Sequence, residues 1–133
     1  MFVPVRAARA AEQVSVVNTE TLKHLGELGS SQGFVEKLVR MFLSDNAVLL
    51  GQIEEALAAR NFHGFRSLVH AAKGSSASMG TDRLTRLCDS LGRLSDGELR
   101  VQAPALLRSI SEEFAAARAQ LEIYLREKQT SVS

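Results

Sequence analysis

The sequence predicts an all-α protein: an antiparallel four-helix bundle with a short helix capping one end. Three observations carry this expectation. The only prolines are Pro4 and Pro104, so the long stretch between them lacks the residue that most firmly breaks helices. Apolar side chains recur there at three- and four-residue spacing, the period of a helix face. The breaks between these segments are short and hold Gly, Asn or Ser, which favours antiparallel neighbours.

Residues 1–17 show no sustained period and read as a linker or disordered tail, with the domain over 18–128. A short helix is expected from Thr19 to Leu28, with Asn18 as its cap, because an Asn side chain can accept from the first free backbone N–H groups. Gly29-Ser30-Ser31 should end it and cap the next. The second helix is expected from Gln32 to Arg60, with Phe34, Leu38, Met41, Phe42, Leu49, Ile53, Ala56 and Leu57 turned inward. Glu36 and Arg40 form an i,i+4 pair on its outer side. Asn61 caps a third helix over Phe62–Met79, whose apolar positions are Phe62, Phe65, Val69, Ala72, Ser76 and Met79. Gly80 stops it, and Thr81 caps a fourth helix carrying Leu84, Leu87, Leu91 and Leu94. Ser95-Asp96-Gly97 reads as a turn. The last helix is expected from Gln102, with Pro104 in its first turn. Leu107, Ile110, Phe114, Ala117, Leu121 and Tyr124 line its inner face, and residues 129–133 form a frayed tail.

Bulk composition narrows the function classes. A chain of 133 residues suffices for one core. The net charge of +1 is too small to point to nucleic acid or an anionic membrane as partner. Aromatic residues are 5% with no Trp, which argues against base stacking. Cys88 is the lone cysteine, so no internal disulfide forms, as suits a reducing compartment. No apolar run is long enough to span a membrane, and the amino terminus lacks the apolar core of a signal peptide. A cytoplasmic location is expected.

The run His70-Ala71-Ala72-Lys73-Gly74-Ser75-Ser76-Ala77-Ser78-Met79-Gly80 stands out. It tolerates Gly74 inside a helix, which costs about 1 kcal/mol relative to Ala. On a helical wheel the apolar positions of the third helix fall within an arc of roughly 80°, and His70 lies roughly 140° from its centre. His70 therefore faces away from the core, among His63, Arg66, Ser67, Lys73, Gly74 and Ala77. Gly74 leaves open space one turn beyond it, and Lys73 and Arg66 bring positive charge. Such an arrangement suits phosphoryl transfer, which needs chiefly positioning and charge stabilisation. An exposed imidazole is in part neutral at pH 7 and therefore nucleophilic. The plainer reading is a surface histidine on a helix whose small residues serve close packing.

His70-Ala71-Ala72-Lys73-Gly74-Ser75-Ser76 resembles the signature of histidine-containing phosphotransfer (HPt) domains, H-x-L-K-G-S/A-S/A, and Met79-Gly80 fits its apolar-then-glycine ending. The likeness covers residues 19–128. Ala72 departs from the usual leucine, at a core position. The resemblance implies a phosphorelay intermediate: His70 accepts a phosphoryl group from a receiver-domain aspartyl phosphate and passes it to another receiver. Lys73 would stabilise the phosphoryl group, Gly74 would clear the approach, and His63, Arg66, Ser67 and Ala77 would help a partner dock. It implies no cofactor in this chain, with Mg²⁺ in the partner receiver. HPt modules often end hybrid sensor kinases, and the wording here is similar to those of diffusible-signal-factor quorum sensing. That likeness implies a membrane-anchored parent protein and a further partner, the signal synthase, bound without phosphotransfer. The alternative function is accordingly a docking or sequestering module.

Other candidates carry less. His63 lies two helical turns from His70, about 10 Å, too far to share a metal ion directly. His24 reads as a surface residue and Cys88 as a packing residue. Ser75 and Ser76 lack the G-x-x-x-x-G-K pattern of a phosphate loop. No ATP-binding motif is present, so the chain reads as a phosphocarrier and not an enzyme.

Overall fold

Asparagine, glycine and serine set most of the helix boundaries. The computed structural model describes the backbone of residues 15–29 and 33–132 and side chains as far as Lys128. These residues form α1 (Thr19–Leu28), α2 (Phe34–Ala58), α3 (Phe62–Met79), α4 (Asp82–Gly92) and α5 (Asp96–Val132). Helix α2 packs on α3, α3 on α4, α4 on α5, and α5 back on α2, closing a four-helix ring. Helix α1 lies against α2 and α3. The expected bundle with its capping helix is the fold.

Asn18 caps α1, its side chain accepting from the N–H groups of Glu20 and Thr21. Asn61 does the same for α3, its Oδ1 accepting from Gly64 N at 3.0 Å. Gly80 ends α3 with φ +79°, a left-handed conformation that an L side chain resists. Its carbonyl accepts from Asn18 N at 2.7 Å, which ties the start of α1 to the end of α3.

The core is mainly aliphatic, with Phe42, Phe62, Phe65 and Phe114 packed into it. Leu22, Val39, Phe65, Leu99, Leu106 and Leu121 are fully buried. Each such side chain contributes about 1.5–3 kcal/mol relative to exposure. A polar link runs through this core between α2 and α3. Buried Asn46 donates from Nδ2 to Phe42 O at 2.9 Å, and its Oδ1 accepts from Ser75 Oγ at 3.2 Å. It fixes α2 against the residue that follows Gly74. Ser76 Oγ, equally buried, has no partner among the described residues.

Several expected boundaries and core positions are corrected. Helix α2 runs from Phe34 to Ala58, shorter than 32–60 at both ends, with Gly33 at its N-cap. The expected Ser30-Ser31 cap lies outside the described residues, as does most of the 1–17 tail. Met41 is 52% exposed, while Val39, Leu43 and Asn46 are buried. The buried row runs 39-42-46-53-56, and Met41 falls on the far side of that row. Thr81 precedes α4 but gives no side-chain cap; its hydroxyl turns back to donate to Ser76 O at 3.0 Å.

The largest correction concerns α5. It begins at Asp96, so Asp96 and Gly97 belong to the helix and Pro104 is interior to it. A capping box explains the early start: Ser95 N donates to Glu98 Oε1 at 3.0 Å, and Glu98 N donates to Ser95 Oγ at 3.2 Å. Leu99, Gln102 and Leu106 then turn inward at helical spacing. Pro104 removes a bond only from the carbonyl of exposed Arg100, where water can replace it. Leu107 and Tyr124 are half-buried; Leu106 and Leu125 hold the inner places. The helix continues past Lys128 to Val132, where a frayed tail was expected.

Candidate functional site

His70 sits midway along α3 on the side turned from the core, and its residue is exposed. The residues before and after it explain that aim. Phe65, Val69, Ala72, Ser76 and Met79 are buried in a three- and four-residue rhythm, which pins one face of α3 inward. His63, Ser67, Gly74 and Ala77 are exposed as expected. A Cβ added at Gly74 would meet nothing within 4 Å, so the surface one turn beyond His70 is an open shelf.

Lys73 and Arg66 are placed differently from the free cations the sequence suggested. Lys73 Nζ donates to Asp89 Oδ1 on α4 at 2.7 Å. Arg93, at the end of α4, donates from Nε to Asp89 Oδ2 at 3.3 Å. Arg66 Nη2 reaches across to the start of α5, donating to Asp96 Oδ1 at 2.6 Å and to Leu94 O at 3.0 Å. The sequence arrangement therefore survives in position but not in charge: each expected cation already has an acidic partner.

A cleft of about 280 Å³ lies between α3 and α4, lined by Arg66, His70, Lys73, Asp89 and Arg93 among others. Cys88 and Val69 form part of its wall. The hydrogen bond from Lys73, then that from Arg93, holds the Asp89 carboxyl below its ordinary pKa. Burial pushes the Cys88 thiol up to about 12, against the opposing influence of the Lys73 charge. The thiol is therefore neutral and takes no nucleophilic part. Among the described residues no group of three His, Cys, Asp or Glu is placed to hold a metal ion. No helix there is long and apolar enough to cross a membrane.

Asp89 and Arg93 are the members of the site that sequence reasoning missed. Their i,i+4 spacing on the polar side of the α4 leucine row was the available signal. Nothing in the spacing told that this pair would meet Lys73, which lies 16 residues away on another helix.

The profile of the Hpt domain family matches residues 37–126. The chain belongs to the Hpt family. Histidine-containing phosphotransfer protein B (HptB) of Pseudomonas aeruginosa has the same fold, with a TM-score of 0.69 and 27% identity over 88% of this chain and 97% of that one. The pseudo histidine-containing phosphotransfer protein 1 of Oryza sativa subsp. japonica is 32% identical over 100 residues, which is 73% of this chain and 53% of the rice protein. The sensory/regulatory protein RpfC of Xanthomonas campestris pv. campestris is 24% identical over 107 residues, which is 80% of this chain and 15% of RpfC. The chain thus spans about half the length of the rice protein and a small part of RpfC. An Hpt domain is a phosphocarrier module of two-component relays, and its partners are receiver-type domains.

Proposed function

We propose that this Hpt domain is a phosphorelay intermediate in which His70 takes a phosphoryl group from a receiver aspartyl phosphate and passes it to a second receiver. The observation that carries this reading is an exposed imidazole at a cleft walled by Lys73 and Arg93, beside an open shelf at Gly74. A ring nitrogen of His70 supplies the electron pair of the new N–P bond. The O–P bond of the aspartyl phosphate breaks, and its electron pair leaves with the receiver carboxylate. The proton on the other ring nitrogen stays on the ring, from which solvent can take it. Lys73 offsets the charge of the phosphoryl oxygens, and any Mg²⁺ the reaction uses is held by the receiver. His63, Ser67 and Ala77 extend the exposed face on which the receiver settles, while Arg66 braces α3 against α5.

The module works in the cytoplasm as part of a longer sensor protein; its alignment with a short portion of RpfC supports that context. A second reading, docking without phosphotransfer, has the names of the rice relatives in its favour. A signal synthase as the docked partner rests on the likeness to RpfC alone. The relay reading leads because His70, Lys73 and Gly74 are all in place here. Incubation with a receiver carrying labelled phosphoryl group tests it. Label should move to the chain, and Lys73→Ala should slow the transfer while leaving the helical content intact. Docking of the receiver with no label moved would favour the second reading.

A further inference from the structure

The cleft beside His70 is lined by an anion, Asp89, where the relay would bring another. Asp89 engages two cations at once, Lys73 through Oδ1 at 2.7 Å and Arg93 through Oδ2 at 3.3 Å. All three side chains line the same cleft as His70. We propose that Asp89 is a built-in substitute for the phosphoryl group: it holds Lys73 and Arg93 at the cleft while His70 is bare, and both cations move to the phosphoryl oxygens once His70 carries them. Arg93 is thereby a second phosphoryl-binding residue, and Asp89 a positioning residue that competes with the cargo. The inference rests on the reading of His70 as acceptor.

The exchange is physically cheap. The side chains of Lys73 and Asp89 are 41% and 36% exposed, and that of Arg93 is 77% exposed. Ion pairs in such wet surroundings are weak and exchange readily. A phosphoryl group carries close to two negative charges and three acceptor oxygens, so it attracts both cations more strongly than one carboxylate can. Asp89, once released, remains in contact with water and keeps its charge. No covalent bond forms or breaks in this step. Arg66 is directed elsewhere, donating to Leu94 O and to Asp96 at the start of α5.

The consequence is a phosphoryl group held less firmly than the bare cations would hold it, as onward transfer requires. The test is the equilibrium partition of labelled phosphoryl group between a receiver and the chain. Wild type, Asp89→Asn and Arg93→Met are compared. Both substitutions break the same ion pair, so a purely structural role shifts the ratio the same way in both. The inference requires opposite shifts. Asp89→Asn should raise the share on the chain, and Arg93→Met should lower it, each roughly two- to five-fold. Any other pattern in chains that take label overturns the inference and leaves the acceptor reading standing. Absence of label on wild type overturns the acceptor reading and the inference together.

Discussion

Gly74 should cost the fold stability and return it as access. It is interior to α3, well inside both helix ends. Glycine there is less favourable than alanine by about 0.8–1.0 kcal/mol. A methyl group added at this position meets no atom within 4 Å, so no clash offsets that gain. Gly74→Ala should therefore raise stability by about 0.8 kcal/mol, an increase in Tm of roughly 2–4 °C for a domain of this size. Gly74→Glu should also fold, since Glu is a good helix former. Its side chain would occupy the shelf and set a negative charge beside the incoming phosphoryl group. An overpacked contact of about 1–3 kcal/mol corresponds to a loss of roughly five- to 160-fold in transfer rate. Thermal unfolding followed by circular dichroism, and label transfer on the same preparations, give the two readouts. A lower Tm for Gly74→Ala would make the glycine structural. Undiminished transfer by Gly74→Glu would refute the open shelf.

Gly80 gives the opposite expectation. Its φ is +79°, and a Cβ would come within 2.8 Å of Thr21 Cβ and 3.0 Å of Asn18 O. Gly80→Ala should destabilise by at least about 1–2 kcal/mol in denaturant unfolding, and an unchanged midpoint would contradict the docking of α1 on this turn. Cys88, its thiol pushed up to about 12 by burial, should resist alkylation at pH 8 in the native protein and react at once in denaturant; equal rates would place it at the surface. The Asp89 carboxyl, held low by Lys73 and Arg93, should titrate in carbon NMR below the ordinary value of about 3.9. A lowered folded-state pKa contributes stability that is present above the unfolded value and lost as pH falls through the folded one. The α3–α4 link should thus persist at mildly acidic pH, and Lys73→Met should move the midpoint back up.

What was legible in the sequence was local. Asn18, Asn61 and Gly80 mark boundaries by interactions within a few residues, and their helices begin and end where the pattern predicts. The outward aim of His70 followed from the period of its own helix. Two things were not legible for the same reason. At α5, proline at 104 outweighed a capping box at Ser95 and Glu98, because a proline's cost depends on whether its orphaned carbonyl can reach water, which is a tertiary matter. At the site, the pairing of Lys73 with Asp89 depends on how α4 lies against α3. Met41 shows the limit of periodicity within one helix: position 41 fits a loose three- and four-residue rhythm, yet the row that meets α3 and α5 is set by Val39, Phe42 and Asn46.

Exposure alone does not single out His70, since His24 and His63 are exposed too. The central claim is that the cleft residues make His70 the acceptor. The most direct measurement is mass-spectrometric location of the phosphoryl group, at neutral pH, after incubation with a phosphorylated receiver. The account predicts phosphohistidine at residue 70 alone and none in His70→Gln. Label at residue 24 or 63, or label that persists in His70→Gln, would contradict it.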